Sequence, residues 1–304
     1  MVNIKGTSTA MVVPFKENNS IDYELYHELC TKQAKAGNHV VSPGTTTESP
    51  TLTPEEHLRL IEIGVEAVKN VNLEKSGSPV LMIAGVGSNS TKEAIEYCEK
   101  SVKLGADAGM SVVPYYNMPS QEGHLNHQIE VAKVGLPIMM YNIPKRSGSG
   151  MHSDTILKAF EMSDSIVSLK AADGVNEDLI KVLKYKPEHV TVLSGDDTLA
   201  HPMLSIGASG LVSVSANLVP ERINEYIKNF NSPKSLDSFM ELFPLMSANM
   251  SYGNPVTIKE AMYILRNELK IPSFKPVVRQ PLVRINNENC KKLEKVLLEH
   301  FFNN

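Results

Sequence analysis

The sequence alternates between short apolar runs and longer segments of helical periodicity, and this alternation constrains the fold more than any other feature. Eight runs rich in Val, Ile and Met are each followed by a helix-like segment before about residue 230. Strand–helix alternation implies parallel strands with helical crossovers, and eight such units imply a closed (β/α)8 TIM barrel of the α/β class. An open, doubly wound sheet would instead place a glycine-rich phosphate loop after the first strand. The sequence "VVPFKENNS" stands there and is not such a loop.

Local signals predict the boundaries of several elements. The first strand is expected at Ser8–Val13 and the first helix at about Asp22–Ala36. Thr53 and Glu56 have the spacing of a capping box, and Pro54 occupies the favoured first helical position between them. A long helix is therefore expected to begin at this point.

The pattern changes after about residue 230, where only helical periodicity remains. Helices are predicted at about Ser235–Asn249, Pro255–Leu269 and Asn286–Phe302. We therefore predict two domains: a catalytic (β/α)8 barrel over 1–230 and a C-terminal helical domain over 231–304.

Composition excludes several classes of protein. The formal net charge of −4 and the lack of a basic run argue against nucleic-acid binding. Cys30, Cys98 and Cys290 lie far apart, which fits a reducing compartment better than a disulfide framework. The N-terminus lacks the pattern of a signal peptide, and no apolar run approaches the roughly 18 residues of a membrane span. A soluble, cytoplasmic protein is expected.

One predicted strand ends in a lysine, in the stretch "SIVSLKAADG". Alternation along the strand places Ser168 and Lys170 on the face toward the barrel axis, and Val167 and Leu169 on the face toward the helices. A partly desolvated lysine has a lowered pKa, and its neutral amine can form a Schiff base with a ketone. The alternative is a lysine at a strand end that merely reaches solvent.

Polar segments follow the other predicted strands at the same end of the barrel. Tyr141 ends the neighbouring strand, so its phenol could relay protons beside Lys170, although a buried tyrosine is more often a core residue. Thr45 and Thr46 in "GTTTES" offer hydroxyls, unless they belong to an ordinary polar turn. Arg146 in "PKRSG" could hold a carboxylate, unless it is simply solvated.

Metal chemistry has weak support. His124 and His127 share a helical face but lack an obvious third ligand. Asp196 and Asp197 could bind a cation, but "SGDDTLAH" reads better as helix capping.

Taken together, the motifs resemble a known family. The set "GTTTES", "PYYNMPSQEG", "YNIPKRSG", "LKAADG", "LSGDD", "GLVSVSAN" and "GNPVTIKEA" is similar, in this order, to the dihydrodipicolinate synthase / N-acetylneuraminate lyase family. The resemblance covers nearly the whole chain. It implies a (β/α)8 barrel with a C-terminal helical domain, usually assembled as a homotetramer that is a dimer of dimers.

The resemblance also implies a role for individual residues. Lys170 matches the lysine that forms the Schiff base with pyruvate, and Tyr141 matches the tyrosine that shuttles protons. Thr45 matches its relay partner. Tyr116 matches a tyrosine that reaches across a dimer interface into the neighbouring site.

Substrate-binding and regulatory positions follow in the same way. Thr46 matches a residue that holds the pyruvate carboxylate, Arg146 one that binds the carboxylate of aspartate semialdehyde, and Val212 an apolar position lining the pyruvate pocket. Some family members have a lysine-feedback site at the dimer interface. The positions that match it are Ser49, His57, Asn89, Glu93 and Tyr115.

The implied reaction is the condensation of pyruvate with L-aspartate 4-semialdehyde to 4-hydroxy-tetrahydrodipicolinate, a step of lysine and diaminopimelate biosynthesis, without metal or organic cofactor. The presence of Tyr116 and Arg146 favours it over N-acetylneuraminate lyase. The alternatives are another pyruvate-dependent aldolase, such as one acting on N-acetylmannosamine or a 2-keto-3-deoxy sugar acid, and a non-catalytic protein that binds a keto acid.

Two positions depart from the motifs of the family. Thr47 replaces the glycine of the usual "GTTGES", and a threonine would be strained if that position requires positive φ. Ala171 stands where the family commonly has a glutamate, in "KEATG", and Asp173 restores a carboxylate two positions later. These changes leave the identity of the aldehyde open.

Overall fold

The computed structural model describes residues 2–74 and 77–301, and its framework is a closed barrel of eight strands in the order β1 to β8. The strands are Gly6–Ala10 (β1), His39–Ser42 (β2), Met82–Gly85 (β3), Ala108–Val112 (β4), Ile138–Asn142 (β5), Ile166–Ala171 (β6), Thr191–Ser194 (β7) and Gly210–Ser213 (β8). The predicted (β/α)8 class is therefore confirmed.

Helices follow the strands, and the C-terminal part is helical as predicted. They are Tyr23–Ala36 (α1), Pro54–Glu74 (α2), Thr91–Leu104 (α3), Gln121–Ala132 (α4), Pro144–Ser147 (α5), Ser153–Met162 (α6), Glu177–Tyr185 (α7), Ala200–Ser205 (α8), Pro220–Lys228 (α9), Ser235–Met250 (α10), Val256–Ile264 (α11) and Asn287–Phe301 (α12). Helix α11 ends before the predicted Leu269. Phe302, the predicted end of the last helix, lies outside the described residues.

The chain divides into two compact units, of which the first contains residues 2–8 and Leu81–Val212. Strands β3 to β8 pair in parallel within it. The registers place Met139 opposite Ser168 and Tyr141 opposite Lys170. Helices α3, α4, α6 and α7 pack against one another in sequence.

The second unit contains residues 9–74, 77–80 and 213–301. Within it, α1 packs against α2 and α9, and α10, α11 and α12 pack on one another. The helical turn after β8 is attached to α10, because Asn249 Nδ2 donates to Ser215 Oγ at 3.0 Å. The predicted domain boundary at residue 230 stays a prediction.

The predicted helix signals are confirmed in detail. The Asp22 side chain accepts a hydrogen bond from the Leu25 amide at the start of α1. At the start of α2, the Thr53 amide donates to Glu56 Oε2 at 3.0 Å, and the Glu56 amide donates to Thr53 Oγ1 at 3.2 Å. The capping box therefore satisfies backbone groups that a helix leaves without internal partners.

The first strand lies earlier than predicted. Apolar residues at positions 11–13 suggested Ser8–Val13, but β1 is Gly6–Ala10, in which three consecutive hydroxyl residues are buried. The backbone leaves the ladder after Met11, because the Val12 amide donates to the Asn217 side chain at 3.3 Å. A barrel strand whose buried side chains are polar is missed when strands are predicted from apolar runs.

The three cysteines are unpaired in the described structure. Burial raises the pKa of the Cys30 and Cys98 thiols to about 12, so both are protonated at neutral pH. In the part of the chain that the structure describes, each helix is too short or too polar to cross a bilayer.

Candidate active site

Lys170 lies near the carboxyl end of β6, in the first unit, and its side chain is buried with 6% exposed. Leu169 and Ala171 line a small cavity with side chains of α6 and α7, so they face the helices. Because alternate strand residues point to opposite faces, Ser168 and Lys170 face the barrel axis. The inward orientation predicted for Lys170 is therefore confirmed, and the alternative of a solvated lysine is wrong.

Burial makes the Lys170 amine unusually easy to deprotonate. Its pKa is lowered from 10.5 to about 8, chiefly by desolvation; the Asp197 carboxylate opposes this shift, and the Arg146 guanidinium adds to it. Deprotonation exposes the nitrogen lone pair, which makes the amine a nucleophile toward a carbonyl carbon. The site can therefore supply a neutral amine close to physiological pH.

Tyr141 stands beside this amine. It pairs with Lys170 in the β5–β6 register, and the Lys170 Nζ lies 4.1 Å from the centre of the Tyr141 ring. The ring is buried, with 6% exposed. The predicted proximity of the two residues is confirmed, and it places an aromatic face and a phenol next to the same amine.

Gly195, directly after β7, was not identified from the sequence. A Cβ built on it would lie 3.1 Å from Lys170 Cε and 2.8 Å from Ala172 Cβ. Its amide donates to the Ala171 carbonyl at 2.7 Å. The missing side chain therefore leaves space for the stem of the lysine; a glycine that directly follows a strand was the only sequence signal.

Arg146 lies on a short helix, α5, that the sequence did not predict. Gly148 ends this helix in a left-handed conformation with φ of 81°. Asn142 fixes the following segment, because its Nδ2 donates to the Met151 carbonyl at 3.1 Å and its Oδ1 accepts from the Met151 amide at 2.9 Å. The exposed arginine is thereby held on an ordered support after β5.

The tyrosine pair after β4 is directed outward. Tyr116 has 90% of its surface exposed and a positive φ of 73°, while Tyr115 is 37% exposed. The Tyr116 amide donates to the Ser147 carbonyl at 3.1 Å, and Asn117 Nδ2 donates to the Asn89 carbonyl at 2.8 Å. The loop is therefore fixed by its backbone while the Tyr116 ring is left accessible.

The "GTTTES" loop follows β2 in the second unit. Thr45 is partly exposed, and Thr46 is buried and accepts a hydrogen bond from Asn254 Nδ2 at 2.9 Å. The left-handed residue of this loop is Glu48, with φ of 56°, rather than Thr47. Position 47 therefore does not require positive φ, and the condition under which a threonine would be strained there is not met.

The second departure from the family motifs lies on the helix-facing side of β6. Ala171 contributes to the cavity between β6 and helices α6 and α7. Asp173 is exposed, and its carbonyl and carboxylate accept from Asn176 Nδ2 at 3.1 and 3.3 Å. Neither position faces the barrel axis beside Lys170.

The other predicted site residues occupy separate places in the two units. Val212 is fully buried on β8 in the first unit. The positions matched to a lysine-feedback site divide between the units. Asn89, Glu93 and Tyr115 belong to the first unit, where Glu93 accepts a hydrogen bond from Ser88, and Ser49 and His57 belong to the second.

The residues considered for metal binding have structural partners. His127 Nδ1 lies 2.9 Å from Thr91 Oγ1, and His124 Nε2 lies 3.1 Å from Ser149 Oγ. Burial lowers the pKa of His127 to about 4. Asp196 Oδ1 accepts hydrogen bonds from the amide and hydroxyl of Thr198, which confirms the predicted capping.

Comparison with known proteins agrees with this geometry. Residues 3–300 match the model of the dihydrodipicolinate synthetase family. A 4-hydroxy-tetrahydrodipicolinate synthase of Campylobacter hominis is 38% identical, over 98% of this chain and 97% of the relative. The crystal structure of dihydrodipicolinate synthase from Aquifex aeolicus has a TM-score of 0.90 at 32% identity, covering 98% of both chains. A dihydrodipicolinate synthase of Cyanidioschyzon merolae, solved with lysine bound, has a TM-score of 0.89 at 34% identity, covering 98% of this chain and 99% of that one.

Proposed function

The chain belongs to the dihydrodipicolinate synthetase family, and from this premise we propose that it condenses pyruvate with L-aspartate 4-semialdehyde. It is a lyase of the Schiff-base type, and its product is 4-hydroxy-tetrahydrodipicolinate. One observation carries the proposal: a buried lysine with a pKa of about 8 stands against the ring of a buried tyrosine at the end of neighbouring barrel strands.

The lysine supplies the covalent step. The neutral Nζ of Lys170 attacks the ketone carbon of pyruvate, and loss of water from the carbinolamine gives an imine. The imine nitrogen withdraws electrons, so a proton leaves the methyl carbon and an enamine forms. We assign these proton transfers to the Tyr141 phenol, which lies beside the amine.

The resemblance supports roles for four further residues. Thr45 and Tyr116 join Tyr141 in the proton relay, and Thr46 and Val212 bind the pyruvate. Thr45 and Thr46 lie in a loop after a barrel strand, which is the kind of loop that carries chemistry in this fold.

The aldehyde enters the second half of the reaction. The enamine carbon attacks the aldehyde carbon, and the substrate's amino group then displaces Lys170 from the former ketone carbon, which closes the ring and frees the enzyme. We assign the aldehyde's carboxylate to Arg146, because a guanidinium fork binds carboxylates through two parallel hydrogen bonds. Its support on α5 keeps it at the same end of β5 as Tyr141.

A role for Tyr116 requires at least a dimer. Its ring is 90% exposed in this chain, so a neighbouring subunit could receive it. We propose a homo-oligomer, with a dimer of dimers as the specific form. Sedimentation velocity tests the assembly, and an active monomer would exclude a relay through Tyr116 of another subunit.

Unpaired thiols also support a cytoplasmic location, since this compartment is reducing.

Feedback by lysine is a further part of the proposal. Ser49, His57, Asn89, Glu93 and Tyr115 match the regulatory positions, and a family member has been solved with lysine bound. Millimolar L-lysine should therefore lower the initial rate. An unchanged rate would contradict the regulatory assignment and leave the catalytic one intact.

Reduction of the imine tests the proposed function directly. The protein is incubated with pyruvate and borohydride, and the adduct is located by peptide mass spectrometry. A stable adduct is expected on Lys170. An adduct on another lysine, or none, would contradict the mechanism. Turnover with aspartate semialdehyde against N-acetylmannosamine then tests the aldehyde, because a Schiff-base aldolase for another substrate would give the same adduct.

A further inference from the structure

The "GTTTES" loop is a compact turn closed by its own backbone. The amides of Thr47 and Ser49 both donate to the Gly44 carbonyl at 3.1 Å, and the Glu48 amide donates to the Thr45 carbonyl at 3.0 Å. These bonds fix the local shape of the turn. They do not fix its position relative to the strands of its unit, which depends on side chains.

The Thr47 hydroxyl attaches the turn to the segment after β1. Thr47 is fully buried, and its Oγ1 donates to the Met11 carbonyl at 2.8 Å. The same oxygen lies 3.3 Å from Ser42 Oγ, which accepts from the Tyr26 hydroxyl at 2.7 Å. Ser42 and Tyr26 are also fully buried.

The direction of this hydrogen-bond chain follows from its last member. A carbonyl oxygen only accepts, so Thr47 commits its proton to Met11 and must accept from Ser42, which in turn accepts from Tyr26. The chain therefore runs one way and ends on the backbone. It cannot pass a proton onward, so its contribution is to hold the turn in place.

Neighbouring side chains fix the turn in two other directions. Thr46 accepts from Asn254, and the Glu48 carboxylate accepts from Lys259 and from the Arg279 amide at 2.9 Å. Three consecutive residues therefore attach one turn to three separate segments of the second unit. A glycine at position 47, the usual residue of the motif, would remove the link to the segment after β1.

We propose that Thr47 is a positioning residue, whose hydroxyl fixes the turn that carries Thr45 and Thr46 and thereby sets their placement toward pyruvate. The inference rests on the proposed function, because it assumes that these two threonines serve the pyruvate reaction. It concerns a position where this chain differs from the family motif "GTTGES".

Steady-state kinetics of isosteric variants test the proposal. Thr47→Val keeps the shape but deletes the hydroxyl, so kcat/KM for pyruvate should fall roughly tenfold, while KM for the aldehyde stays unchanged. Thr47→Ser should restore most of the loss, and Ser42→Ala should have a smaller effect because the bond to Met11 remains. Hydrogen exchange of segment 43–50 should be faster in Thr47→Val.

The control is Thr7→Val, which removes another buried threonine hydroxyl that has no hydrogen-bond partner within the described residues. This variant should retain the parental kinetics for both substrates. Equal kinetics in Thr47→Val and Thr47→Ser would overturn the inference, as would a loss that falls equally on both substrates. If the parent protein itself forms no pyruvate adduct, the proposed function fails instead, and the two failures are thus distinguishable.

Discussion

Among the residues that the structure describes, two lysines, Lys170 and Lys259, are buried, and their surroundings share several features. Burial lowers the pKa of both amines to about 8. Each Nζ lies 4.1 Å from the centre of an aromatic ring, Tyr141 in the first unit and Phe15 in the second. By pKa and cation–π contact alone, the two residues would be equally good candidates for a nucleophile.

Their hydrogen-bond partners separate them. Lys259 Nζ donates to the Glu48 carboxylate, with both side chains fully buried, and to the Val277 carbonyl at 2.9 Å. The Glu48 carboxylate occupies the Lys259 amine and raises its pKa against the larger effect of burial, and the side chain is fully buried, so a substrate carbonyl has no access to its nitrogen. Within the described residues, Lys170 forms no comparable ion pair; it experiences Asp197 and Arg146 as opposing charges at a distance.

The comparison shows that a lowered pKa is insufficient evidence for a catalytic lysine. The pKa reports the cost of burying charge, which both lysines bear. Reactivity also requires an unoccupied lone pair and a proton relay group, and the phenol of Tyr141 can serve as that group whereas the ring of Phe15 cannot. Lys259 is therefore expected to stabilise the fold, and Lys170 to react.

The largest expected effect is that of Lys170→Met. Activity should fall by at least about 10³-fold and the pyruvate adduct should disappear, because the only proposed nucleophile is lost. Stability should stay equal or rise, since the variant removes a buried ammonium. Intact mass after borohydride trapping and thermal unfolding measure the two outcomes. Residual adduct, or a large loss of stability, would show that Lys170 stabilises the fold and is not the nucleophile.

Lys259→Met should reverse this pattern. The change leaves Glu48 buried without its cation, which costs about 3–5 kcal/mol of unfolding free energy. The folded fraction should still form the adduct at Lys170. The matched control is Lys292→Met, which breaks an exposed pair with Glu288 and should cost no more than about 0.5 kcal/mol.

A double variant tests whether Lys259 and Glu48 stabilise the fold as a pair. Lys259→Met combined with Glu48→Gln removes both charges, so part of the lost stability should return in urea unfolding. If the double variant is as unstable as the sum of the single changes, the two side chains do not act as a pair. The contrast between the two lysines would then lose its physical basis.

Much of the fold and of the candidate site could be predicted from the sequence, whereas the long-range side-chain contacts could not. Alternation predicted the barrel, and the same period-two pattern placed Lys170 inward and Tyr141 beside it. The pair of Lys259 and Glu48 joins positions 211 residues apart, and neither local sequence carries a sign of it. The Thr47 hydroxyl likewise finds its acceptor across 36 residues. Periodicity reports which face is buried, whereas specific long-range partners depend on the assembled fold.

Removing the phenol beside Lys170 should have a smaller effect than removing the amine. Tyr141→Phe keeps the ring but removes the hydroxyl, so kcat should fall about 10²-fold while the slowly formed adduct remains detectable. The matched variant next to Lys259 is Phe15→Leu, which removes the ring that its amine contacts. This variant should lower the free energy of unfolding by about 1–2 kcal/mol and leave the adduct intact. If Tyr141→Phe retained the parental kcat, the phenol would not be the relay group.

The smallest expected effect is a shift in the pH dependence of trapping at Lys170. With a pKa of about 8, its neutral fraction rises roughly tenfold between pH 7 and 9, so the rate of adduct formation with cyanoborohydride should rise likewise. Asp197 raises this pKa and Arg146 lowers it. The midpoint should therefore move down in Asp197→Asn and up in Arg146→Leu, and equal midpoints would show that these charges do not tune the amine.

The lowered pKa of Lys170 also makes the free energy of unfolding depend on pH. The folded-state pKa of Lys170 lies below the usual 10.5, so between about pH 8 and 10.5 the unfolded chain holds a proton that the folded chain has released. The lysine's contribution to unfolding free energy must therefore rise with pH across this window. Lys170→Met should remove that rise, measured as the difference in urea stability between pH 8 and 10. Lys259 should contribute a rise of its own that persists in this variant, because its pKa is lowered by the same burial. A difference between the parent and Lys170→Met that is flat with pH would mean that the amine of Lys170 is not desolvated, and its reactivity would then require another cause.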